Sequence, residues 1–213
     1  KDKLVVFADE AVFAADRSFL PYTAVAARSA IDCTPERMHI HVLYGDDLGD
    51  GCGRFRQMAI DAGSDVTFHE VDQSKFAGLP VTDHVSLATY FRLSIADLLP
   101  PSVGRVIYLD GDLIVRHDLS ELYHWPLDPP GVAAVAEPNP DPERLGMPAG
   151  TPYLNAGVLV LDLDHWRQTS VTTTLYRIAQ ESRSKLRFWD QDILALFLNG
   201  DWTFLPRRWN VNH

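Results

Sequence analysis

Strand-like and helix-like stretches alternate along nearly the whole chain, and this alternation limits the fold more than any single motif does. "MHIHVLYG" (38–45) has strand character, and "VTFHEVD" (66–72) alternates as a half-buried strand would. "RVIYLD" (105–110) is a continuous apolar run of the kind found in a central parallel strand, and "GVAAVAE" (131–137) reads as another strand. "GVLVLDLDHW" (157–166) is a strand running into a helix, and "DWTFLP" (201–206) is a final short strand. Two lookalikes, "VVFADE" (5–10) and "VFAADR" (12–17), compete for the first strand. Helices are expected over 20–32, with Pro21 in the first turn, and over 52–63, closing on a glycine. A third covers 86–100, stopping at a double proline, and a fourth 190–200, with Asp190 as N-cap and Gly200 as stop. "EPNPDPERLGMPAGTP" (137–152) must be a loop. The pattern predicts an α/β protein with helices on both faces of the sheet, and such sheets bind ligands at the carboxyl ends of their strands. Asp16 and Asp110 sit at such ends, and Asn155 does too if the next strand begins just after it.

The 213 residues are enough for one domain with a sizeable core, without repeats or a linker. The formal charge of −10 and the lack of a Lys/Arg run argue against nucleic acid as a partner. Cys33 and Cys52 make neither a metal-type spacing nor a disulfide framework, so free thiols in a reducing compartment are expected. No apolar segment approaches a membrane span, and "KDKLVVFADE" does not read as a signal peptide. A cytoplasmic protein follows as the expectation.

Asp110 and Asp112 directly follow the buried run "VIYL". In extended chain, residues i and i+2 point the same way, so both carboxylates can aim at one point beyond the strand. Gly111 removes the side chain between them. Two nearby carboxylates repel unless a cation or a proton lies between them. Few, hard oxygen ligands suit Mg²⁺ or Mn²⁺ with water or substrate phosphates completing the shell, and holding a diphosphate is the function that fits. An Asp-x-Asp pair in a turn also arises by chance, and a phosphatase or phosphotransferase with Asp110 as nucleophile is a further reading. His39 and His41 sit two apart, but with no third ligand in view they do not make a metal site. Taken singly, Arg92 reads as a surface helix arginine, Asn155 as a turn cap and Asp190 as an N-cap; Trp166 and Trp189 read as core or groove wall.

Five stretches together resemble glycosyltransferase family 8. They are "VFAADRSFLPYTAVAARS" (12–29), "ATYFRLSIADLLP" (88–100), "RVIYLDGDLIVRHDLSELY" (105–123), "YLNAGVLVLDLDHWR" (153–167) and "FWDQDILALFLNGDWTFLPRRWN" (188–210). The resemblance implies a single GT-A domain, Rossmann-like, with a mixed, mostly parallel central sheet, and it favours "VFAAD" (12–16) as the first strand. It implies a retaining hexosyltransferase that takes galactose or glucose from a UDP-hexose with Mn²⁺ or Mg²⁺. The metal ligands would be Asp110 and Asp112. Ala14 and Asp16 would line the uracil pocket, with Ser18 where many members carry Asn. Arg92 would reach the donor, and the Gly111 backbone would face the ribose. Asn155, Asp190 and Gln191 would lie along the sugar at the reaction centre. Because Gln191 is a poor nucleophile, front-face attack is expected over double displacement. The family's metal-binding histidine and phosphate-contacting lysine fall downstream of the last matching motif, so either they lie beyond residue 213 or the protein lacks them; any segment making peripheral contact with the inner membrane face would also lie beyond residue 213. The acceptor is some hydroxyl compound, carbohydrate or lipid-linked. A non-catalytic sugar-nucleotide-binding domain is the alternative.

Overall fold

The computed structural model describes residues 9–82 and 84–211. Strands β1 (Asp9–Ala14), β2 (Met38–Tyr44), β3 (Asp65–Glu70), β4 (Arg105–Leu109), β5 (Val132–Ala136), β6 (Leu154–Asp162) and β7 (Thr203–Phe204) form one sheet in the order β3-β2-β1-β4-β6-β5-β7. β6 is antiparallel to both β4 and β5, and every other pairing is parallel. The sheet is therefore mixed and mostly parallel. The helices are α1 (Leu20–Cys33), α2 (Gly51–Asp61), α3 (Ile95–Leu98), α4 (Ser120–Tyr123), α5 (Leu163–Gln168), α6 (Val171–Ser182) and α7 (Trp189–Leu198).

Alternate strand residues feed two cores. Val12, Leu43, Val106, Tyr108, Leu159 and Leu161 meet Tyr90, Phe91, Trp166, Leu175 and Ile193 on one face. Ala11, Phe13, Ile40, Val42, Ile107 and Leu109 meet Ala26, Ala27 and Ala30 of α1 and Phe55 and Ala59 of α2 on the other. Because both faces of β4 are covered, its sequence reads as an unbroken apolar run.

β1 covers Asp9–Ala14, so "VFAAD" supplies the end of the strand and the turn after it. Most of the competing 5–10 stretch lies outside the described residues. The expected helix over 86–100 is instead a 3₁₀ helix, Leu87–Ser94, followed by the single α-turn of α3. Three residues per turn place Thr89 and Arg92 on one edge, which the site below uses. Asp190 is not the N-cap of α7; that position is Phe188, and the Asp190 carboxylate is bonded elsewhere. α6 was not expected from the sequence. Its first turn, "VTTT", is poor in helix formers, and burial of Val171, Leu175 and Ala179 along one stripe supports it instead.

Candidate active site

After β1 the chain builds β2 and β3 on one side, then returns to place β4 on the other side of β1. The strand order reverses there, which opens a crevice at the carboxyl ends of β1 and β4. Asp16 lies just beyond β1 and Asp110 just beyond β4. Asn155 does not precede its strand as expected but is the second residue of β6. Since β6 runs the other way, its entrance lies at the same edge, where Asp110 N–H bonds the Gly157 carbonyl at 2.9 Å.

A cleft of about 1150 Å³ opens at this edge. It is lined by Ala14, Asp16, Ser18, Arg92, Asp110, Gly111, Asp112, Asn155, Asp190 and Gln191, so the residues that the resemblance assigns to donor, metal and reaction centre all border one space. Arg92 is its electrostatic hub, with a side chain only 7% exposed. Its Nη2 donates to Asp110 Oδ1 at 2.9 Å, and its Nη1 donates to the Ala156 carbonyl. Its Nε lies 2.7 Å from Asp190 Oδ2, although that N–H is aimed at the Thr89 carbonyl at 3.3 Å. The guanidinium stacks 4.1 Å from the centre of the Tyr108 ring. Burial disfavours its charge, but Asp110 and Asp190 more than compensate and hold it protonated. Arg92 is thus a buried cation between two acids and not a surface arginine.

Asp190 is 3% exposed. Its Oδ1 accepts from the Thr89 hydroxyl at 2.5 Å, while Oδ2 has no hydrogen bond. Burial, reinforced by Asp110 and opposed by Arg92, pushes its carboxyl up to about 6. Burial and the neighbouring Asp110 raise the Asp112 carboxyl as well. Burial also works against charge on Asp16. There, hydrogen bonds from Ser18, Ser86 and the Phe19 backbone outweigh it and keep the carboxyl below its usual range. Ser18 therefore serves to fix Asp16.

Gln191 Oε1 accepts the Ala156 N–H at 2.9 Å, which ties α7 to β6. Asn155 donates to Glu137 Oε2 at 3.0 Å and accepts from Gly157 N–H and Asn210 Nδ2. A Cβ on Gly157 would stand 2.9 Å from Asp110 Oδ2, so glycine is required for the acid to occupy its place. A Cβ on Gly111 would run into the Thr23 hydroxyl and the Phe19 ring, so this glycine admits the start of α1 against the acidic pair.

Thr89, Tyr108, Glu137 and Asn210 were not singled out from the sequence. Only Tyr108, two residues before Asp110 and therefore on its side of the strand, carried a local signal. The second acid of "WDQD", Asp192, is structural. It takes both Arg144 guanidinium nitrogens (3.0 and 2.6 Å), the Tyr153 hydroxyl, and the Arg187 and Phe188 N–H groups.

Asp110 and Asp112 fit a hard divalent cation in their chemistry: both are oxygen donors, and burial together with the neighbouring Asp110 disfavours charge on Asp112, which a cation would relieve. Among the described residues no third His, Cys, Asp or Glu joins them in a cluster. A different group, Glu10, His39 and His41, does bring three ligand atoms within 4.8 Å of one another and is capable of coordinating a divalent metal. This corrects the expectation for the histidine pair, because the third ligand comes from the neighbouring strand β1. Among the described residues no helix is long and apolar enough to cross a membrane.

The chain is 33% identical over 156 residues to the lipopolysaccharide 1,2-glucosyltransferase of Escherichia coli (strain K12), covering 68% of this chain and 45% of that protein. It is 31% identical over 178 residues to general stress protein A of Bacillus subtilis (strain 168), covering 81% of this chain and 62% of that one. The chain thus spans 45% and 62% of the lengths of these two curated relatives. A crystal structure of the galactosyltransferase LgtC in complex with donor and acceptor sugar analogues superposes with a TM-score of 0.85 at 28% identity, covering 93% of this chain and 74% of that chain. The profile of glycosyl transferase family 8 matches residues 10–213, and the chain belongs to that family.

Proposed function

We propose that this chain forms the catalytic core of a retaining, metal-dependent hexosyltransferase that moves galactose or glucose from a UDP-hexose to an acceptor hydroxyl. The observation that supports it best is the convergence of Asp110, Asp112, Arg92, Asp190, Asn155 and Gln191 on one cleft at the strand-order reversal. Relatives named as glucosyl- and galactosyltransferases make a hexose the donor sugar of choice.

Asp110 and Asp112 would hold Mn²⁺ or Mg²⁺, which when bound neutralises the diphosphate and makes it a better leaving group. Arg92 fixes Asp110 in place and keeps positive charge beside the diphosphate. Asp16, Ala14, Ser18 and the Gly111 backbone take the nucleoside. Asp190 Oδ2, lacking a hydrogen bond of its own, accepts from a sugar hydroxyl. Gln191 and Asn155 present amide dipoles to the positive charge that grows at C1 as the bond to phosphate breaks. An amide is a poor nucleophile, so the acceptor attacks from the leaving-group side and the departing phosphate oxygen takes its proton. A cytoplasmic setting fits the two free thiols Cys33 and Cys52.

The test is hydrolysis of UDP-galactose and UDP-glucose with and without Mn²⁺, with the product anomer read by NMR. Asp110→Asn and Asp112→Asn should each abolish the metal-dependent rate and weaken UDP–Mn²⁺ binding in calorimetry. Unchanged affinity in both variants would refute the metal assignment, and an inverted anomer would refute retention. Metal-dependent UDP binding without turnover of any donor would instead support a binding domain.

A further inference from the structure

The Glu10–His39–His41 cluster belongs to a different part of the sheet from the cleft. β1 pairs with β4 so that Ala11 lies opposite Ile107, which puts Glu10 level with Val106. Asp110 is therefore four strand positions away, roughly 13 Å along the sheet. We propose that Glu10, His39 and His41 form a second metal site, for a zinc-class transition ion, that clips β1 to β2 and is independent of the Asp110–Asp112 pair.

The strand register builds the site. His39 stands directly opposite Glu10, and His41 is two residues on along the same face of β2. Both rings converge on one carboxylate oxygen: His41 Nε2 lies 2.8 Å and His39 Nδ1 3.3 Å from Glu10 Oε2. Ligands 2.0–2.1 Å from a tetrahedral ion stand about 3.3 Å apart, so the three atoms need to open only slightly to admit one. The far nitrogen of each ring is already held, as metal-bound imidazoles require. His39 Nε2 meets the Thr67 hydroxyl at 2.8 Å, and His41 Nδ1 meets His69 Nε2 at 2.9 Å. With His41 Nδ1 accepting from His69, its Nε2–H donates to Glu10 Oε2 at 2.8 Å, and a bound ion would take the place of that proton.

Two imidazole nitrogens and one oxygen select Zn²⁺, Co²⁺ or Ni²⁺ over Mg²⁺ or Ca²⁺. His41 is 1% exposed, whereas His39 and Glu10 are 19% and 17% exposed, which leaves an approach for the ion and a water ligand.

The experiment titrates the metal-stripped full chain with Zn²⁺ by calorimetry and with Co²⁺ by visible absorption. One equivalent should bind, with the d–d bands of a four- or five-coordinate ion and a rise in melting temperature. Affinity should fall at least tenfold in His39→Gln and Glu10→Gln and stay unchanged in Asp110→Asn/Asp112→Asn. His39→Gln should leave metal-dependent donor hydrolysis intact. Should a variant fail to fold, ring ¹⁵N shifts of the unaltered protein decide: Zn²⁺ must move His39 Nδ1 and His41 Nε2. No stoichiometric binding at micromolar Zn²⁺, unmoved ring nitrogens, or loss of binding in the Asp110/Asp112 variant would each overturn the proposal.

Discussion

Replacing Asp190 with asparagine removes a charge that the fold accommodates at the expense of stability. The carboxyl is 3% exposed, and its pKa rises from an ordinary 3.8 to about 6, chiefly through burial. The neutral acid is thus the form the fold prefers. The contribution of Asp190 to stability is complete below 3.8 and is lost as pH climbs to about 6. A displacement of about two units, at 1.36 kcal/mol each, amounts to about 3 kcal/mol once ionisation is complete. Asparagine mimics the neutral acid: its carbonyl can still accept the Thr89 hydroxyl, and Arg92 keeps Asp110. Asp190→Asn should therefore be more stable than the unaltered protein by about 3 kcal/mol at pH 7.5, by about half that at pH 5, and by nearly nothing near pH 3.8. Urea denaturation across this range measures the difference. On the proposed reading the same variant loses a charge-assisted bond to a sugar hydroxyl, worth about 1.5–3 kcal/mol, and donor hydrolysis should drop roughly 10- to 100-fold. A variant that is less stable at pH 7.5, or a gap that does not change with pH, would refute the reasoning.

Three further outcomes follow from other contacts. Asp192→Asn leaves Arg144, 9% exposed, without its countercharge, which should cost about 3–5 kcal/mol, read as a lowered melting temperature at pH 7. Burial opposes ionisation of Asp192, but Arg144 and Tyr153 outweigh it, so its stabilising contribution is present above about pH 4 and lost in more acid solution. Thermal melts of the unaltered protein and the variant should converge there. Gly157→Ala pushes a methyl group to 2.9 Å from Asp110 Oδ2, and calorimetry should show weaker UDP–Mn²⁺ binding in a chain whose circular dichroism is unchanged. Arg92→Met leaves Asp190 without its cation, so the Asp190 carboxyl should titrate above 6 by NMR, with donor hydrolysis lost.

Much of the cleft was legible because apolar runs betray buried strands, and acids just beyond such runs fall at strand ends. Asp16 and Asp110 could be placed that way. The winding of 87–94 could not, because eight residues do not separate a period of 3.0 from one of 3.6, and this winding brings Thr89 and Arg92 together against Asp190. Asp190 and Asp192 look alike in "WDQD", yet one faces the cleft and the other bonds Arg144, which depends on how the 137–152 segment folds back. The His39–His41 pair lacked a visible third ligand because Glu10 meets it only through the β1–β2 register, which no local pattern encodes.

The reversed direction of β6 has a consequence for diversification. The chain leaves β5 and enters β6 at the same edge of the sheet, so residues 137–152 form a cassette anchored on strands at both ends. Glu137 N–H bonds the Tyr153 carbonyl at 2.8 Å across its base, and Arg144 fastens its middle to α7. Exchanging what lies between those anchors should leave the sheet and the Asp110–Arg92–Asp190 cluster in place, so this segment can vary in sequence without disturbing the cleft beside it.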